Sequence, residues 1–249
     1  MSFWKNRGIK NLIAGCNIST IDYDDNVSLI FFLTRCNFRC PFCHSASLVL
    51  EEDIVEIPIG DAAEIIKNHI RFIDGIVITG GEPMISPKTV NILSTKAKEY
   101  GLLVKLDTNG TLPYEVEKLC KAGLVDKIAM DIKTFRDEEE YKKVSGGMFS
   151  KIPEYINNTM KIVKKYQDIV LECRTTVVPG LVGTEEDIRK ICEWIKPYAD
   201  EYFIQNFRPE QTLDKRYEKI EPYNKKHLDR LYNVFREVLP DIKGGIRNA

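Results

Sequence analysis

Residues 35–45 read RCNFRCPFCHS and directly follow the apolar run VSLIFFLT at 27–34. Three thiols, Cys36, Cys40 and Cys43, fall within eight residues. The apolar run has the β-branched and aromatic content of a buried parallel strand. Thiolates are soft ligands for zinc or for iron–sulfur clusters. A structural zinc site takes four protein ligands in a closed tetrahedron. His44 is adjacent to Cys43, a poor spacing for joining the same chelate. Three thiolates instead suit a cubane cluster with one iron left open to a small molecule. On spacing alone, zinc, redox thiols and fortuitous clustering stay open as alternatives.

Downstream, apolar runs alternate with amphipathic stretches. GIVITGGEP (75–83) predicts a strand over Ile76–Thr79 that ends in a glycine turn. LLVKLDTNG (102–110), VDKIAMDIK (125–133), IVLECRTTVVPG (169–180) and EYFIQNFRP (201–209) predict four more strands. Helices are expected over 61–71, 87–100, 112–123, 152–165, 184–198 with Thr184 as cap, and 226–237. Strands alternating with helices imply a parallel sheet with right-handed crossovers. Periodicity leaves two forms open, a doubly wound sheet and a curved, incomplete barrel.

Polar residues follow each predicted strand core. Cys36–Cys43 follow the first, Gly80–Glu82 the second and Asp107–Asn109 the third. Asp131 and Lys133, then Arg174 and Thr175, then Gln205, Asn206 and Arg208 follow the others. In parallel α/β folds these strand ends share one face, where ligands bind. Six aligned edges point to a cofactor face.

The 249 residues are 43% apolar, enough for a sizeable core, and 36 basic residues oppose 37 acidic ones. The net charge of -1 gives no support to a general nucleic-acid binder. No 18-residue apolar run suggests a membrane span, and MSFWKNRGIKNLIAGC does not read as a signal peptide. Seven cysteines without even spacing argue against a disulfide scaffold, so a reducing, cytoplasmic location is expected. Cys120, Cys173 and Cys192 have no ligand spacing and read as small buried hydrophobes.

Cys36-x-x-x-Cys40-x-x-Cys43, with Phe42 before the last cysteine, resembles the cluster motif of the radical S-adenosylmethionine superfamily. TGGEP (79–83) resembles that family's GGE motif. Within the superfamily, STIDYDDNVSLIFFLTRCNFRCPFCH (19–44), DTNG (107–110), MDIK (130–133), RTTVVPG (174–180) and FIQNFRP (203–209) resemble glycyl-radical-enzyme activating proteins. The anaerobic ribonucleoside-triphosphate reductase activators are the most similar group, over about residues 8–210.

The resemblance implies a partial (β/α)6 TIM-like barrel. Residues 1–210 would form the core with a short N-terminal extension, and 211–249 a C-terminal helical extension packed on the same domain. Cys36, Cys40 and Cys43 would hold a [4Fe-4S] cluster whose open iron binds S-adenosylmethionine. A low-potential donor such as flavodoxin or ferredoxin would reduce it. Reductive cleavage would give methionine and a 5′-deoxyadenosyl radical, which takes hydrogen from a glycine of a partner enzyme. Gly80 and Gly81 permit close backbone approach, and Glu82 can accept from the cofactor's ammonium. Asp131 and Lys133 resemble an element beside the cofactor carboxylate, Asn109 a polar residue of the same floor, and Arg174 a residue meeting cofactor or peptide. Asp107 and Thr108, with Met130 and Asp131, resemble positions that hold a monovalent cation.

The chain departs from the group at Asp24 and Asp25, where Pro-Gly is usual, at Ser45, where Asn is common, and at Phe207, near a cofactor histidine. Two competing readings follow. One is a radical enzyme acting on a small molecule, such as a deazapurine precursor, or on RNA. The other is a zinc-binding structural module.

Overall fold

The computed structural model describes residues 13–147 and 149–247; residues 1–12, which carry most of the N-terminal reading, lie outside them. The elements are β1 (Ile13–Ser19), β2 (Ser28–Leu33), α1 (Ala46–Leu50), α2 (Ile59–His69), β3 (Gly75–Gly80), α3 (Pro87–Glu99), β4 (Leu103–Thr108) and α4 (Pro113–Lys121). They continue with β5 (Lys127–Asp131), α5 (Glu138–Ser145), α6 (Ile152–Val163), β6 (Val170–Val177), α7 (Glu185–Ile195), β7 (Glu201–Asn206), α8 (Lys225–Val238) and β8 (Lys243–Arg247).

Strand order decides between the two forms the periodicity left open. The eight strands lie side by side in chain order, β1 to β8. Every pair from β2 to β8 is parallel, and β1 is antiparallel to β2. A doubly wound sheet reverses its order at a switch point. Here the order never reverses, so right-handed crossovers put the helices on one face. The other face curls around a lumen. β1 and β8 are the unpaired ends of the sheet, so the barrel is incomplete.

Side-chain alternation matches this geometry. On the outer face Phe31, Ile78, Leu106, Ile128, Leu171 and Ile204 join the helix residues in one apolar core. The inward face of β2 and β3 is also apolar, with Ile30, Val77 and Phe32 around Tyr23. The inward face of β4–β7 instead buries Lys105, Lys127, Glu172 and Glu201. Buried charges need partners, and these have them. Lys127 Nζ lies 2.9 Å from Glu172 and 2.5 Å from Glu201, and also bonds Asp24. Arg247 of β8 pairs with Glu172 at 2.7 Å and with Asp24 at 3.2 Å. Asp24, at the unusual Asp-Asp step, therefore turns inward and ties the β1–β2 connection to the barrel base.

The helices start where local chemistry allows. Thr184 and Asp187 form a reciprocal capping box at α7, and Asp137 and Asn224 accept backbone N–H groups at α5 and α8. The six predicted strands appear as β2–β7. Two strands lie outside that expectation. β1 carries Gly15 and Asn17 in a half-exposed edge, a weak strand signal. β8 comes from the tail KGGIR, so the C-terminal stretch adds a strand as well as α8. Among the described residues no helix is long and apolar enough to cross a membrane.

β8 joins the sheet through a close backbone approach. A Cβ on Gly244 would sit 1.8 Å from the Tyr202 carbonyl oxygen, whereas one on Gly245 meets nothing within 4 Å. Gly244→Ala should cost about 1–3 kcal/mol by overpacking. Its thermal midpoint should fall and amide exchange across 243–247 should rise, while Gly245→Ala stays near wild type in both measurements.

Candidate functional site

The cysteine loop leaves β2 beside the end of β3, and two glycines let it do so. Gly81 N donates to Leu33 O at 2.9 Å, and Glu82 N donates to Arg35 O at 2.7 Å. A Cβ on Gly80 would lie 2.2 Å from Leu33 O, and one on Gly81 1.8 Å from Arg35 O. Gly80 also has φ +117°, open to glycine and strained for other residues. The close approach expected of these glycines is thus made by the chain's own cysteine loop.

The loop is held from several sides. Arg35 adopts φ 67° and pairs with Glu51 at 2.8 Å. Arg39 Nη1 donates to the carbonyls of Cys36 and Phe38, both at 2.7 Å. Cys43 N donates to Cys40 O at 3.1 Å, a turn that brings the second and third thiols to one side. From the C-terminal stretch, Leu213 N and Asp214 N donate to the carbonyls of Cys43 and Pro41.

Glu82 ties the loop to the end of β4. It is 1% exposed. Its Oε1 accepts from Met84 N at 3.0 Å and Thr108 Oγ1 at 2.7 Å, and its Oε2 from Asn109 N at 2.6 Å. Burial pushes its pKa up to about 7, against the pull of those three donors. Three internal bonds thus fix the Glu82 carboxylate between the cysteine loop and the end of β4. Asn109 continues the chain of bonds: its Nδ2 donates to Asn37 Oδ1 at 2.7 Å and approaches Cys36 Sγ at 3.9 Å.

A cavity of about 370 Å³ opens over the strand ends. Cys36, Cys40, Cys43 and Phe42 line it, with Gly80, Gly81 and Asn109. Asp107, Asp131, Lys133 and Arg174 line it too, and Lys133 and Asp131 lie close enough to act on the Cys40 thiol. Glu82, Met130 and Thr175, all buried, are not among the residues that line it. Phe32, Gln205, Phe207 and Arg247 also line it. Phe32 read as core because it sits in the run FFL, and Arg247 lay in a tail with no recognisable pattern.

The charged wall is an ion network. Lys133 Nζ is 2.9 Å from Asp131 Oδ2. Arg174 reaches Asp131 Oδ1 through Nε at 3.0 Å and Asp107 Oδ2 through Nη1 at 3.1 Å. Burial alone would raise the Asp131 carboxyl; Arg174 and Lys133 outweigh it and hold it well below the usual range. Burial pushes Cys40 up to about 12, with Lys133 pulling the other way, and raises Cys36 and Cys43 too. Without a bound cation these thiols keep their protons; a metal centre would favour the thiolates.

Two metal readings can be tested on geometry. Asp24, Glu172 and Glu201 are the one acidic, cysteine or histidine trio among the described residues whose ligand atoms all lie within 4.8 Å. Lys127 already fills the space between those carboxylates. The three thiols fall outside that limit. One tetrahedral zinc, with Zn–S about 2.3 Å, needs sulfurs roughly 3.8 Å apart. As placed, at least one pair among Cys36, Cys40 and Cys43 is farther apart than that.

The Glu82 junction gives a stability test. Glu82→Gln places an amide donor against one of three donors already there. Unfolding stability should fall by about 1–3 kcal/mol in urea titrations.

The sequence matches the Radical SAM superfamily over residues 30–195, more than half of the chain. A Methanocaldococcus jannaschii protein, provisionally named a glycyl-radical enzyme activating enzyme, is 35% identical over 94% of this chain and 95% of its own length. The pyruvate formate-lyase-activating enzyme of Streptococcus mutans is 27% identical over 68% of this chain and 66% of its own. Among solved structures, Streptococcus suis SuiB bound to precursor peptide SuiA matches with TM-score 0.68 at 18% identity. That match covers 88% of this chain and 48% of SuiB, so this chain spans about half of SuiB's length and the likeness speaks for the fold. With three cysteines lining the cavity at the end of a sequentially ordered parallel barrel, and with these matches, the chain belongs to the radical SAM superfamily.

Proposed function

We propose that this chain binds a [4Fe-4S] cluster and S-adenosylmethionine and generates a glycyl radical on a partner enzyme. One observation carries the reading: three free thiols from a single loop face the same cavity as a buried, charge-balanced wall. Cys36, Cys40 and Cys43 hold the cluster. Bound there, the cluster and S-adenosylmethionine would supply one-electron reductive chemistry able to abstract hydrogen from a partner glycine.

The chain's own residues do the rest. Asp131 keeps its charge because Arg174 and Lys133 outweigh the cost of burial, and it holds Lys133 beside the cofactor carboxylate. Lys133 and Arg174 face the cofactor carboxylate; a guanidinium offers planar geometry and an ammonium a point charge. Phe42 and Phe207, both buried, keep water from the reacting atoms. Asn109 and Glu82 hold the cavity floor against the cysteine loop. Residues 1–210 serve as the core, and 211–249 complete it by clamping the loop through Leu213 and Asp214.

The partner is a protein. The name carried by the M. jannaschii relative supports a glycyl-radical enzyme, and anaerobic ribonucleotide reductase is the specific candidate. A flavodoxin or ferredoxin supplies the electron. The chain works in the cytoplasm, where free cysteines persist.

Anaerobically prepared protein should carry about four iron and four sulfide per chain. With dithionite it should release 5′-deoxyadenosine and methionine from S-adenosylmethionine, and Cys36→Ala should drop that release to background. Colourless protein holding zinc would overturn the proposal. Mixing the loaded enzyme with an anaerobic ribonucleotide reductase should give a glycyl doublet in electron paramagnetic resonance; its absence would remove that partner.

A further inference from the structure

Asp107 at the end of β4 and Asp131 at the end of β5 face the same cavity. Two neighbouring carboxylates in a buried site need positive charge between them. The sequence resemblance implies a monovalent cation at this point. The side chains present leave no such site. Arg174 uses Asp107 Oδ2 and Asp131 Oδ1, and Lys133 uses Asp131 Oδ2. Three of the four carboxylate oxygens are therefore engaged by fixed cations. Thr79 Oγ1 also donates to Asp107 Oδ2, at 3.1 Å. Asp107 Oδ1 alone makes no hydrogen bond. The ammonium of Lys105 stands 3.9 Å from it.

The charge count agrees with the geometry. Glu172 lies 3.9 Å from Arg174 and 4.0 Å from Lys105. Glu172 also pairs with Lys127 and Arg247, which hold Asp24 and Glu201 as well, so the carboxylates of Asp24, Asp107, Asp131, Glu172 and Glu201 are matched by Lys105, Lys127, Lys133, Arg174 and Arg247. A metal ion would be a further positive charge and would have a single oxygen to itself. Sodium or potassium needs several oxygens at once, so it would have to displace a guanidinium that bridges two strands.

Resting on the reading of this cavity as the cofactor face, we propose that Arg174 is the resident cation of the Asp107–Asp131 pair and that this chain binds no monovalent metal ion there. Arg174 fixes the spacing of β4, β5 and β6 at the cavity and so positions both carboxylates.

The test needs neither turnover nor S-adenosylmethionine, so it stands or falls separately from the proposed activity. Full-length, anaerobically prepared protein is freed of alkali metals and melted in choline chloride and in potassium chloride at equal ionic strength. Sodium-23 relaxation is measured in parallel. Wild type should give superimposable melts and no saturable relaxation enhancement. Arg174→Gln removes the guanidinium and should gain a saturable sodium signal together with a potassium-dependent rise in melting temperature. Arg174→Lys keeps a charge and should gain neither. Added guanidinium should suppress the sodium signal of Arg174→Gln, a rescue that a purely packing role would not produce. A saturable signal in wild type that Asp107→Asn abolishes would overturn the proposal, and so would an Arg174→Gln protein that folds and gains no signal. If Arg174→Gln fails to fold, the wild-type titration alone decides.

Discussion

Two backbones meet at the end of β3 with no room for a Cβ between them. Gly80 and Gly81 lie against Leu33 and Arg35, and the contact extends the β2–β3 ladder into the cysteine loop. Cys36 leaves that contact directly, so the position of the first thiol follows from it. Glu82 leaves on the other strand and turns its carboxylate to Thr108 and Asn109. One glycine pair thus couples three strand ends. A larger side chain there would push the loop away and carry the thiols off the cavity.

The lumen is built with two unlike walls. Ile30, Phe32 and Val77 make an apolar wall on β2 and β3. Lys105, Asp107, Asp131, Glu172 and Arg174 make a charged wall on β4–β6. Breaking one member of such a buried network costs about 3–5 kcal/mol, because the abandoned partner stays desolvated. The network is therefore rigid, and its polar groups are in place before a ligand arrives. A ligand with an apolar body and a zwitterionic end suits that contrast. The sheet ends β1 and β8 do not pair with each other, and Asp24 bridges toward β8 through Arg247.

The parts that were legible in the sequence share a physical cause. β2–β7 are buried against helices on their outer face, so their apolar residues recur and mark them. The polar residues after each strand aligned because parallel strands end on one side. β1 and β8 were illegible for the opposite reason. They are edge strands with Gly15, Asn17, Gly244 and Gly245, and of their side chains only Ile13 is buried in the core. The choice between an open sheet and a barrel depends on strand order, which no local pattern encodes. At the site, the motif marks Glu82 as an acid beside the cofactor but does not show that its carboxylate also brackets Thr108 and Asn109. Arg247 reached the cavity from a tail whose strand was itself unrecognised.

The central claim is that three protein sulfurs leave one iron open to the cofactor's amino and carboxylate groups. Electron–nuclear double resonance on the reduced protein, with S-adenosylmethionine labelled at the amino nitrogen and carboxylate oxygen, tests this most directly. The account predicts nitrogen-15 and oxygen-17 couplings of directly coordinated atoms, together with a changed cluster spectrum on binding. A cluster spectrum indifferent to the cofactor, with no such couplings, would mean that the chain itself closes the metal site and would contradict the account.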